Sequence, residues 1–358
     1  MEYKAIILFV ILILVIGTLS MISVEMIGVI KGYGNPGEAV WDITLKLLIS
    51  LLFFLVASSI YYKIHQDKAV IMGYYTVILA LLGSTFFFSG SAHRWLRILG
   101  FSLQPSELAK ILVIILISNY TATCEKMTSF WSGLLKPIFI VSPIVFLIAI
   151  EPDLSTSLLI LTLTILMLYT AGAKFSHVML LVGSVLFLGY ISYKYHLFLK
   201  GYQMQRLLSF FKGRMSEQVL LAIEGAKSGG LFGKGVNLGE IKMVVPVVES
   251  DFVMAVIGEE LGYIGIVVIL LSYLGLVYSL IKSAVKIVED NFGKMFIIGY
   301  AYLIMLQVMV NVGVSTGLLP ITGITLPFVS KGGSSLLAFM TGLGIVTNIV
   351  FSKESEEF

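Results

Sequence analysis

The chain has little charge: 13% of its 358 residues are Asp, Glu, Lys or Arg, about half the share found in soluble domains. Its single cysteine, Cys124, excludes an internal disulfide framework and any cysteine-based metal site. Four scattered histidines, His65, His93, His177 and His196, lack the spacing of a zinc site. A net charge of only +3 gives no strong basic field, so no nucleic-acid partner is expected. What is abundant is apolar surface: 58% of the residues are hydrophobic and the mean hydropathy is +0.99. A soluble fold of this length has no interior large enough to hide so much apolar side chain. The expected class is an all-α polytopic membrane protein, one integral domain over residues 1–358.

Ten mostly apolar runs read as spans, near 5–26, 42–62, 69–89, 106–120, 132–150, 154–172, 176–193, 253–281, 294–315 and 334–351. The first is longer than a signal-peptide core and no small-x-small site follows closely, so it reads as a span. Ten spans put both termini on one side. With the N-terminus inside, the inner loops and flanks carry Lys4, Lys63, Lys68, Lys126, Lys136, Lys174, Lys282, Lys286, Lys294 and Lys353. The short outer loops carry Lys31, Arg94, Arg97 and Lys331. That bias predicts N-in, C-in.

One large extracytoplasmic loop, residues 194–252, then lies between spans seven and eight, and it is basic. Loops of roughly 60 residues largely escape the positive-inside rule. The basic surface suits anionic headgroups or an anionic extracytoplasmic substrate. Within it, 196–211 and 216–227 have helical apolar spacing and predict short helices on the outer membrane surface, the second with Val219, Leu220 and Ile223 on one face. The stretch SGGLFGKG, 228–235, is a glycine-rich turn. It is not a P-loop, because Ser228 stands where the first glycine is needed and Gly235 where magnesium needs a hydroxyl.

Carboxylates and ammoniums are costly in hydrocarbon and mark function by default. Those within or at the ends of spans are Lys46, Glu107, Lys110, Glu151, Asp153, Asp251, Glu259 and Glu260. All but the last two fall near outer helix ends, which predicts a shared polar cavity facing outside. Each also has a plain reading: Lys46 as a snorkelling side chain, Glu107 and Lys110 as a self-neutralising i,i+3 pair, Asp153 and Asp251 as helix caps. Glu259 and Glu260 lie about 12–14 Å further along their helix and project about 100° apart, so both cannot face one cavity. At least one is expected to bind backbone or polar groups of neighbouring helices. Gly258 and Gly262 form a small-xxx-small pair for close contact. Near the end, Lys331, Gly332, Gly333, Ser334 and Ser335 form a glycine-rich turn into a helix N-terminus, a ready anion site.

The stretches HRWLRILGFSLQPSELAK (93–110), EPDLSTS (151–157), IEGAKSGGLFGKG (223–235), SDFVMAVIGEELGYIG (250–265) and GLLPITGITLPFVSKGGSSLLA (317–338) together resemble the SEDS family, the RodA and FtsW proteins of bacterial cell elongation and division. GEELG leans toward FtsW. The resemblance implies a ten-span peptidoglycan glycosyltransferase of the bacterial cytoplasmic membrane. Its active site would face outside and polymerise lipid II into glycan strands. It implies as partners a single-span class B penicillin-binding transpeptidase and other divisome or elongasome membrane proteins. The family's essential aspartate falls on Asp251, and its cavity residues on Glu107, Lys110, Asp153 and Lys46. Arg206 and Gln218 match its loop arginine and glutamine. Two departures stand out: Val247 and Glu249 replace the usual Glu and His before the aspartate, and the YGG turn reads Lys331-Gly332-Gly333.

An α-linked donor that gives a β1,4 product implies one inverting displacement, with a base at the acceptor hydroxyl and positive charge at the pyrophosphate. Asp251 is the candidate base. Lys46, Lys110, Arg206 and the Gly332–Gly333 turn are candidates for the leaving group. No cofactor is fixed; a divalent cation, Mg or Mn, held by carboxylates is an optional aid. The alternative is a flippase for the lipid-linked precursor, which should carry ionisable groups through the midplane.

Overall fold

The computed structural model describes residues 2–32, 34–88, 94–98, 101–151, 153–195, 210, 215–245, 248, 251–286 and 290–356. Long apolar runs become long helices: α1 (Glu2–Ile30), α2 (Pro36–Ser59), α3 (Lys68–Phe88), α4 (Pro105–Thr123), α5 (Lys136–Ile150), α6 (Leu154–Thr170) and α7 (Phe175–Tyr195). The long connection after α7 supplies α8 (Glu217–Ser228) and α9 (Ile241–Val244), and α10 (Val253–Lys286), α11 (Asn291–Ser315) and α12 (Gly333–Glu356) follow. Among the described residues, eight helices are long and apolar enough to cross a membrane, and Leu154–Thr170 and Phe175–Ile191 are shorter apolar helices. Each falls on one of the ten apolar runs. A small antiparallel hairpin, β1 (Leu96–Ile98) with β2 (Phe101–Leu103), interrupts the helical architecture before α4.

The first turns follow local chemistry. Asn35 caps α2 by accepting from the Gly37 amide, and Asp153 caps α6 by accepting from the Thr156 amide. Ser216 caps α8. The buried face of α8 is Val219 and Ala222, whereas Leu220 is exposed, so the expected Val219–Leu220–Ile223 face is rotated. The cause is packing against α10: a Cβ on Gly258 would lie 2.9 Å from the Ala226 methyl, so Ala226 and its side of α8 turn inward. The expected helix over 196–211 lies outside the described residues, Phe210 excepted.

α10 is broken at Gly262, whose φ of 71° and ψ of −169° are not helical. In an intact helix the Glu259 and Glu260 carbonyls would accept from the amides of Tyr263 and Ile264. Here they accept from Lys234 and Gly235 at 2.9 and 3.0 Å, while Tyr263 and Ile264 donate to Gly230 and Leu231 at 2.9 and 3.2 Å. The glycine-rich turn is thus spliced into the hydrogen-bond ladder of α10, and four backbone groups that hydrocarbon would leave unpaired are satisfied. Glycine is required sterically: a Cβ on Gly233 would lie 2.1 Å from the Glu260 carbonyl oxygen. The approach expected at Gly258 and Gly262 is real, and its partners are α8 and this turn.

A second irregular stretch, Thr316 to Gly332, runs back among the helices before α12. Its carbonyls are met by side chains: Asn311 Nδ2 donates to Ile324 at 2.9 Å, and the Tyr273 hydroxyl donates to Pro327. Phe328, 1% exposed, holds a left-handed φ of 63°, which tertiary packing must impose on a bulky residue.

Candidate functional site

α4 carries a buried ion pair between two sequence-predicted residues. Lys110 Nζ lies 2.8 Å from Glu107 Oε2, and both side chains are buried. The i,i+3 spacing on one helix brings them together. The pair is completed from elsewhere. The Gln307 amide, oriented so that its nitrogen donates to the Thr325 carbonyl, accepts from Lys110 at 2.5 Å. The ammonium also sits 5.9 Å from the Phe339 ring centre, a favourable cation–π geometry.

Gln307 begins a polar stripe on α11. Asn311 and Ser315 follow at four-residue intervals, so all three share one face. Gln307 holds Lys110 and Thr325, Asn311 holds Ile324, and the Ser315 hydroxyl donates to the Asp251 carbonyl at 3.2 Å. The stripe rises about 12 Å at 1.5 Å per residue, from the α4 pair to Asp251. Asp251 itself is 8% exposed and precedes α10 across Phe252.

The other predicted residues separate into groups. Asp153 Oδ2 lies 3.9 Å from Arg94 Nη1. Arg94 Nε donates to the Glu151 carbonyl at 2.9 Å. The Glu151 carboxyl, in the turn between α5 and α6, accepts from the Thr85 hydroxyl at 2.7 Å, and its Oε2 has no hydrogen-bond partner among the described residues. Burial pushes its pKa up to about 7 against the pull of that hydroxyl. Lys331 pairs with Glu25 of α1. Lys46 pairs with Asp42, one turn back on its own helix. Gly332 and Gly333 lead into α12, where the Leu336 amide bonds the Gly332 carbonyl at 3.0 Å.

Ser334 ties α12 to β2: its fully buried hydroxyl accepts from the Gln104 amide at 2.9 Å and donates to the Ser102 carbonyl at 2.7 Å. Gln218 sits half-buried in the first turn of α8. Arg206 and Glu249 lie outside the described residues. Among the described residues no three His, Cys, Asp or Glu side chains are placed to hold a metal ion.

Glu259 and Glu260 do bind neighbouring elements, as expected, and they diverge in doing so. Glu259 accepts from Lys234 Nζ at 2.7 Å and from the Ile241 amide at 2.8 Å. Glu260 accepts from Lys242 Nζ at 2.8 Å and from the Ser23 hydroxyl of α1.

Residues 3–355 match the family model of the FtsW, RodA and SpoVE proteins, described as cell cycle proteins. The chain belongs to the FtsW/RodA/SpoVE family. Among its relatives, a probable peptidoglycan glycosyltransferase FtsW from Geobacter sp. (strain M18) is 34% identical over 319 residues, 86% of this chain and 85% of the relative. The stage V sporulation protein E of Bacillus subtilis is 29% identical over 311 residues, 84% and 81% of the two chains. The fold is shared with a chain of a structure titled for the coordination of polymerization and crosslinking by a peptidoglycan synthase complex, at a TM-score of 0.79 and 23% identity over 97% of both chains. It is also shared with Thermus thermophilus RodA, at a TM-score of 0.70 and 23% identity over 97% of this chain and 96% of that one.

In this member of the FtsW/RodA/SpoVE family, sequence reasoning missed Glu25, Gln307, Asn311 and Ser315. The stripe had a signal, polar residues every fourth position in an apolar helix. Glu25 had none beyond being an acid near the C-terminal end of α1.

Proposed function

We propose that the chain is a peptidoglycan glycosyltransferase that polymerises lipid II at the outer face of the bacterial cytoplasmic membrane, with ten spans and both termini inside. The observation that carries this reading is membership of the family over residues 3–355, with relatives named as probable peptidoglycan glycosyltransferases. In the proposed step the Asp251 carboxylate takes the proton of the acceptor sugar 4-hydroxyl. The oxygen attacks the anomeric carbon of the growing chain, and the bond to the lipid pyrophosphate breaks with inversion. Glycan is extended by one disaccharide, and lipid pyrophosphate leaves.

Lys110 and Lys331 would stabilise that leaving group, with the α12 N-terminus at Gly332–Gly333 as a backbone anion site. Both lysines are already held by carboxylates, Glu107 and Glu25. Those pairs hold the ammoniums in place, and the pyrophosphate has to compete for them. Lys46, Asp153, Arg206 and Gln218 are further proposed substrate contacts. A class B penicillin-binding transpeptidase is the proposed partner.

Purified protein with that transpeptidase, given lipid II, is expected to yield glycan chains resolved on a gel. Lipid II left unpolymerised, or moved between leaflets without glycan, would replace this reading with the flippase one.

A further inference from the structure

Among the described residues Glu259 and Glu260 bond none of the proposed substrate contacts, yet each is almost fully buried and each is met by a lysine from the loop before α10. Together they grip both sides of one short segment. Glu259 takes the Lys234 ammonium, and its second oxygen takes the Ile241 amide, the first of α9, where Glu240 offers no side-chain cap. That amide is an orphan donor that a carboxylate satisfies well. Glu260 takes Lys242, the next residue, whose side chain is 0% exposed and is also bonded to Asn237 at 2.9 Å. The backbone splice at Gly262 holds the same loop from below.

The segment that leaves this grip is the one that carries Asp251. From Val244 at the end of α9, the chain reaches α10 at Val253. Val245 and Val248 on the way are buried in one cluster with Phe252, Ala255 and Val256 of the helix start, Val24 of α1, Val219 of α8 and Val314 of α11. At the far end, Ser315 holds the Asp251 carbonyl. Asp251 therefore hangs between two anchors, the ionic grip on α9 and the α11 stripe. A general base must stand within hydrogen-bond reach of the proton it removes, and a misplacement of about 1 Å can cost on the order of 100-fold in rate.

We propose that Glu260 and Glu259, acting through Lys242 and α9, are positioning residues for Asp251: they fix where Asp251 stands at the start of α10 and do not contact substrate. The proposal rests on the reading of Asp251 as the base. It also explains why a buried ion pair, often no more stable than an apolar pair of the same volume, sits here: it sets geometry.

The test uses the full-length protein. Glu260→Gln is expected to lower turnover of lipid II about tenfold or more, with KM within about twofold of the parent. The double variant Lys242→Met with Glu260→Met removes both charges and is expected to recover the parent's melting temperature while turnover stays low. Turnover that recovers along with melting temperature, or an unaffected Glu260→Gln enzyme, would overturn the proposal. A second readout needs no activity. Backbone amides in 248–257 should exchange with deuterium faster in Glu260→Gln than in the parent, and equal exchange would sink the idea. A parent protein that makes no glycan would count against the proposed function alone, and the exchange comparison would still decide this inference.

Discussion

Two buried ionic clusters can be set side by side. The Glu107–Lys110 pair joins residues three apart on one helix. The Glu259–Lys234 and Glu260–Lys242 pairs join a span to a loop 25 and 18 residues earlier, and Ser23 adds a contact across 237 residues. The local pair forms within one helix turn and needs no distant acid, with Gln307 and Phe339 adding tertiary contacts to Lys110 alone. A long-range cluster fixes tertiary structure, and its charges are consumed in doing so. The proposed reading gives the first cluster to chemistry and the second to shape.

That contrast can be broken at several points. The largest effect is expected at the splice. Gly233→Ala puts a Cβ against the Glu260 carbonyl from a backbone at φ 81°, and should leave little folded protein by size-exclusion chromatography; a monodisperse, parent-like variant would show that the turn docks loosely. At the local pair, Glu107→Ala leaves Lys110 buried without its carboxylate and should cost about 3–5 kcal/mol. Adding Lys110→Ala should return part of that loss, and a thermal-unfolding cycle with additive losses would argue that the two are uncoupled.

Glu151 offers a milder, pH-resolved test. Its native pKa of about 7 stands above the ordinary 4.5, so the native state binds the extra proton between those values. Stability from this group is full below about pH 4.5 and is lost as pH rises through about 7. Glu151→Gln should flatten the melting-temperature profile across that window; an unchanged slope would contradict it. The smallest effect belongs to Lys234→Ala, because that side chain is 34% exposed and its pair with Glu259 is screened. Its melting temperature should fall less than that of Glu107→Ala.

The spans were legible because a helix that crosses hydrocarbon has to be apolar for about 20 residues, and Asp153 announced itself as a cap by standing before an apolar run. The Glu107–Lys110 contact was legible because helical spacing alone creates it. The partners of Glu259 and Glu260 were not, since nothing local links them to Lys234 and Lys242. The break at Gly262 needed the same knowledge: a glycine in a span reads as close packing until the turn that replaces its hydrogen bonds is known. The partners of Ser334 were hidden for the same reason, since Gln104 and Ser102 lie 230 and 232 residues earlier.

The central claim is that Asp251 removes the acceptor proton. It is tested most directly by Asp251→Asn in purified protein given lipid II, with glycan followed on a gel and melting temperature measured alongside. Loss of a general base should lower polymerisation by about 100-fold or more, with melting temperature and transpeptidase binding close to the parent. Undiminished glycan from a folded Asp251→Asn protein would contradict the account.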